Sequence, residues 1–145
     1  MFKPMSADPK SADPASDRAA LTDLLTTFAQ ALDARDWASY RSVFTDEIEL
    51  DYSSWRPEDV GRWNADEWVA RAAGLFPGFT YTRHALTDIT VTLDGNRATV
   101  GATLSADHAI VDGDDMVVFT LHGHYDDRCV RTPEGWLISA KRLVV

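Results

Sequence analysis

The stretch RATVGATLSADHAIV, residues 97–111, decides the fold. Ala98, Val100, Ala102, Leu104, Ala106 and Ile110 recur in one phase, and Arg97, Thr99, Thr103, Ser105 and Asp107 fall between them. A period of two sends alternate side chains to opposite faces of a strand, so the small apolar set faces a core and the polar set faces water. His108 falls in the apolar phase and is expected to point inward.

The flanking turns extend this reading. DGN at 94–96, DGDD at 112–115 and TPEG at 132–135 cut the chain after Phe79 into four antiparallel strands, beginning near Phe79, Arg97, Met116 and Trp136. Upstream, Leu21, Leu24, Leu25, Phe28 and Leu32 recur at three- and four-residue spacings, which predicts a helix from Asp17 to about Asp33. Asp36 can cap a second, shorter helix whose Trp37, Tyr40, Val43 and Phe44 share a face. IELDY at 48–52 alternates as a half-buried strand with Ile48, Leu50 and Tyr52 on the inner side. A polar loop follows, and Asn64 with Glu67 three residues on opens a third helix lined by Trp68, Ala72 and Leu75. Three helices followed by such strands make an α+β domain, in which a strongly curved, mixed or antiparallel sheet forms a cone-shaped barrel under the helices and encloses a pocket.

Composition narrows the function. The 145 residues suit one domain, read as 17–145. Residues 1–16 repeat SADP and read as a disordered arm or a cloning remnant. A net charge of −9 with no cluster of Lys and Arg disfavours nucleic acid and anionic membranes, leaving a small molecule as the expected partner. The single cysteine, Cys129, cannot form an internal disulfide, and no apolar run reaches the length of a membrane span, so a cytoplasmic protein is expected.

Chemistry-bearing residues gather on the inward phases. His84 is in phase with Leu86, Tyr52 with Ile48 and Leu50, and Asp33 lies on the flank of the first helical stripe. Singly, each has a plain reading: satisfied core histidines, a core tyrosine and a solvated helix end. Together, they bring a carboxylate, two imidazoles and a phenol to the open end of one cone. A carboxylate bonded to one imidazole nitrogen fixes the tautomer and raises basicity, so Asp33 and His84 form the candidate dyad.

The runs ALDARDW (31–37), LDY (50–52), TRH (82–84), ADH (106–108) and GHYDDRCVRTPEGWLI (123–138) resemble the SnoaL-like branch of the nuclear transport factor 2-like superfamily. Their order is most similar to the scytalone dehydratases. The resemblance implies catalytic roles for Asp33, His84, His108 and Tyr52, in a cofactor-independent, metal-free elimination of water from a small hydrophobic or polycyclic hydroxy-carbonyl substrate. His84 would take the proton beside the carbonyl, Tyr52 would hold the carbonyl oxygen, and His108 would protonate the departing hydroxyl. Leu32 stands where those dehydratases carry a second tyrosine, and no asparagine matches theirs among His124, Tyr125, Asp126 and Asp127. The chain also stops at Val145, straight after the last strand, so the pocket is expected to be more open or covered by another segment. Isomerases and aldol-type cyclases begin with the same proton removal.

Leu32, Trp55, Trp68, His124 and Asp126 are the expected pocket lining, with Trp63 also at the mouth or in an interface. His122 and His124 share a strand face, as metal ligands can, but two imidazoles without a third ligand are a weak signal. Arg142 alternates with Ile138 and Ala140 and is expected to pair with Asp126 or another acid. The open convex face is expected to pair with another copy in a homodimer or homotrimer. A protein of a different class, holding a ligand without turnover, would have no reason to place a carboxylate against a pocket histidine.

Overall fold

The computed structural model describes residues 13–145. Helices α1 (Pro14–Ala34) and α2 (Trp37–Ser42) are followed by strands β1 (Phe44–Asp51) and β2 (Val60–Asn64), helix α3 (Ala65–Leu75) and a single 3-10 turn (Phe76–Gly78). Strands β3 (Tyr81–Asp94), β4 (Arg97–Asp112), β5 (Asp115–Thr132) and β6 (Gly135–Val144) complete the chain. They form one sheet in the order β2-β1-β6-β5-β4-β3, antiparallel except where β1 runs parallel to β6. The sheet stays open: β2 and β3 are its edges.

Local chemistry explains the helix ends. Asp13 accepts the backbone N–H groups of Ala15 and Ser16, so α1 begins at Pro14, three residues before the expected start, and the rest of the N-terminal arm lies outside the described residues. Arg35 ends α1 in the left-handed region (φ 57), Asp36 caps α2, and Asn64 caps α3. The core lies between the helices and the inner face of the sheet, where Leu21, Leu25 and Phe28 of α1 meet Val100, Leu104 and Ile138.

Three expectations need correction. The polar loop after Tyr52 contains an edge strand, β2, whose short and mostly exposed sequence carries no alternation. Ile110 is 47% exposed because the β4–β5 hairpin runs past the helical layer, leaving Val111, Met116, Val117, Val118 and Phe119 exposed too. Pairing between β5 and β6 slips at Arg128/Cys129, where Ser139 is the extra residue, so the inward set becomes Ile138, Lys141 and Leu143. Arg142 therefore turns outward to an exposed ion pair with Asp51 (3.7 Å). A second bulge, at Asp88 in β3 (φ 51), keeps both Leu86 and Ile89 packed on the core.

The reversal in β6 puts a charge inside. Lys141 Nζ bonds Asp127 Oδ2 at 2.6 Å, both side chains being fully buried, and lies 4.0 Å and 3.9 Å from the ring centres of Phe28 and Tyr125. Burial pushes the Asp127 carboxyl up, and the Lys141 ammonium opposes that rise. At the far end of α1, Arg131 grips both oxygens of Asp17 at 2.6 and 2.7 Å while Trp136 Nε1 donates to the same carboxylate. The Arg131 bond is the main reason the Asp17 carboxyl sits below its ordinary value.

Candidate active site

A cavity opens between α1, α3 and the inner face of the sheet, lined by Leu32, Tyr52, Trp55, Trp68, His84, His108 and Tyr125 among others. It encloses about 60 Å³ of free space, small beside the ~300–1,000 Å³ of typical ligand clefts. A wider groove of about 600 Å³ crosses the sheet past Glu47, Arg62 and Arg128, away from these histidines.

Asp33, on the last turn of α1, faces β3. Its Oδ1 lies 2.7 Å from His84 Nδ1 and accepts the Thr82 hydroxyl at 3.0 Å, while Oδ2 accepts the His84 backbone N–H at 2.7 Å. The carboxylate thus holds the ring and the backbone of one residue, with Nδ1 carrying the proton when the ring is neutral. That leaves Nε2, on the far side of the ring, as the free basic nitrogen. Phe76 stacks on His84 (centroids 6.2 Å, 20° between planes).

His108 faces His84 across the cavity, with ring centroids 5.9 Å apart. It is packed among Trp55, Phe79 and Phe119, the last stacked on it at 4.9 Å. Its Nδ1 is buried without a hydrogen-bond partner among the described residues. Burial, then the neighbouring His84, lowers the His108 pKa from its ordinary value. The backbone of Ala106 and Phe119 opposes that fall, and the neutral ring carries one N–H at the cavity wall.

Tyr52 and Tyr125 are buried and their hydroxyls interact; burial pushes both phenols upward, so they remain protonated donors. Tyr40 joins them and accepts the Trp68 indole N–H at 3.2 Å. All four expected catalytic residues, and Leu32, Trp55 and Trp68, line or border this cavity. His124 and Asp126 do not: the inward phase of β5 belongs to Tyr125, Asp127 and Cys129, which turns His124 and Asp126 to the exposed face. Trp63 packs edge-on against Trp68 outside the cavity lining.

Sequence reading missed Tyr125, Arg56 and the pair Arg71–Asp59, whose Nε and Oδ1 lie 2.6 Å apart. The alternation of Leu121, Tyr125 and Cys129 was the available signal for Tyr125; Asp127 in the same phase masked it. Among the described residues no cluster of three or more His, Cys, Asp or Glu side chains is arranged to hold a metal ion, and no helix is long and apolar enough to cross a membrane.

Comparison with known proteins identifies the family and the fold. The uncharacterised protein Rv2910c of Mycobacterium tuberculosis is 32% identical over 123 residues, covering 85% of this chain and 81% of its own length. The crystal structure of the Kfla4162 protein from Kribbella flavida superposes with a TM-score of 0.86 at 30% identity, covering 91% of this chain and 92% of that one. A provisionally named scytalone dehydratase from Novosphingobium aromaticivorans shares the fold (TM-score 0.76, 18% identity, 89% of this chain and 83% of that one). The family model of the SnoaL-like domain matches residues 13–142, and the chain belongs to that family, with the nuclear transport factor 2-like fold.

Proposed function

We propose that the protein is a cofactor-independent lyase that removes water from a small hydroxy-carbonyl compound by histidine acid–base catalysis. The observation that carries this reading is the Asp33–His84 bond inside a cavity that also holds His108 and two buried phenols. The provisional name of the Novosphingobium neighbour points the same way.

His84 Nε2 takes the proton from the carbon beside the carbonyl, and Asp33 stabilises the imidazolium that forms. The electron pair moves onto the carbonyl oxygen, where Tyr52 donates a hydrogen bond to the growing negative charge. As the carbonyl reforms, the β-hydroxyl leaves and takes the proton from His84, so one water is lost and the ring returns neutral. His108 binds the leaving hydroxyl through its N–H. This differs from the role implied by resemblance, because a buried histidine with a lowered pKa and no carboxylate is a poor resting store of protons. Tyr125 brings to the cavity a second phenol of the kind that Leu32 does not supply.

The test uses single-ring β-hydroxy ketones, beginning with 3-hydroxycyclohexanone, in deuterated buffer followed by NMR. Cyclohexenone formation above the buffer rate supports the lyase reading. Exchange at the α-carbon without loss of water would instead favour an isomerase or aldol-type cyclase.

A further inference from the structure

We propose that Arg56 makes the cavity selective for substrates carrying a carboxylate, which its guanidinium receives at the mouth. The inference deepens the lyase reading by naming a substrate class, and rests on that reading only in treating the cavity as the substrate site.

The charges around the cavity carry it. The Asp33 carboxylate is occupied by Thr82 and by both His84 donors. Arg71 is neutralised by Asp59 (2.6 Å) and approached by Glu58 (3.5 Å). Arg56 also lines the cavity, yet no acidic side chain pairs with it among the described residues. A positive charge is therefore left uncompensated at the cavity of a protein whose net charge is −9.

Its position is also fixed in advance. Trp55 and Arg56 both donate backbone N–H bonds to the Tyr52 carbonyl (2.9 and 2.8 Å), Asp59 N–H returns to the Arg56 carbonyl (2.9 Å), and the Ser54 hydroxyl ties the loop to Leu143 (3.0 Å). The guanidinium lies 4.6 Å from the centre of the Trp55 ring, and Trp55 in turn packs on His108. A guanidinium placed over an indole face has no hydrogen-bond acceptor there, so its N–H groups stay available, and their fork matches the two oxygens of a carboxylate. The aromatic walls formed by Phe76, Phe79 and Trp68 suit the apolar body such a molecule would carry.

Calorimetric titration of the full chain with benzoate and with its neutral isostere benzamide tests this. The wild type is expected to bind benzoate at least tenfold more tightly; R56Q is expected to bind the two equally, with its benzamide affinity unchanged, and R56K to keep part of the preference. The readout is binding without turnover, so failure of the lyase reading would leave this result standing. Equal affinities in the wild type, retention of the preference by R56Q, loss of benzamide binding by R56Q, or no binding of either probe would overturn the proposal.

Discussion

One carboxylate, that of Asp33, holds His84 twice: Oδ1 is 2.7 Å from Nδ1 of the ring and Oδ2 accepts the backbone N–H at 2.7 Å. The ring's orientation, its tautomer and the docking of α1 on β3 therefore depend on the same side chain. Asp33→Asn separates these functions. A carboxamide can keep an oxygen toward the His84 backbone only by turning its NH₂ toward Nδ1, which moves the ring proton to Nε2 and blocks the basic nitrogen. Turnover is expected to fall ~10²–10⁴-fold, the contribution of a positioned acid–base group, while circular dichroism stays that of the wild type. Full activity in D33N would contradict the dyad.

The buried Lys141–Asp127 pair makes a prediction about stability. Lys141→Ala leaves Asp127 as an unpaired charge in the core and is expected to cost about 3–5 kcal/mol in urea denaturation. Replacing both, as Lys141→Met with Asp127→Leu, is expected to recover most of that loss, because well-packed apolar groups of similar volume replace such pairs at little cost. If the double variant is as unstable as the single, the pair contributes something beyond charge compensation.

His108 sets a pH dependence. Folding lowers its pKa below the ~6.5 of the unfolded chain, so between the two values the unfolded state binds the extra proton. Its contribution to stability is full above pH ~6.5 and declines as the pH falls from there toward the folded value. Denaturation midpoints measured from pH 8 to pH 5 are expected to fall less steeply in His108→Phe than in the wild type. Parallel curves would show that the ring is not held neutral.

Most of the fold was legible because its signals are local. The turns at 94–96, 112–115 and 132–135 separate strands observed at β3 through β6, and Asp36 and Asn64 cap helices where their side chains can reach the first free N–H groups. His84 and His108 were legible for the same reason, since each lies in an alternation upstream of any bulge in its strand, and Tyr52 because it continues the phase of Ile48 and Leu50 just past the end of β1. Phase was lost where the backbone departs from a strict period of two. The extra residue at Ser139 exchanged Arg142 for Lys141 inside the core. In β5 the ion pair placed Asp127 where an apolar residue was expected, so the side occupied by His124 and Asp126 could not be read from hydrophobicity. β2 was missed because an exposed edge strand needs no apolar face.

The most direct test of the central claim, that His84 oriented by Asp33 removes a proton from carbon, is deuterium exchange at the α-carbon of 3-hydroxycyclohexanone and related single-ring β-hydroxy ketones. The wild type is expected to exchange well above the buffer rate, His84→Ala to fall to that rate, and His108→Ala to keep exchanging while losing the elimination of water. Undiminished exchange in His84→Ala, or loss of exchange in His108→Ala alone, would contradict the account.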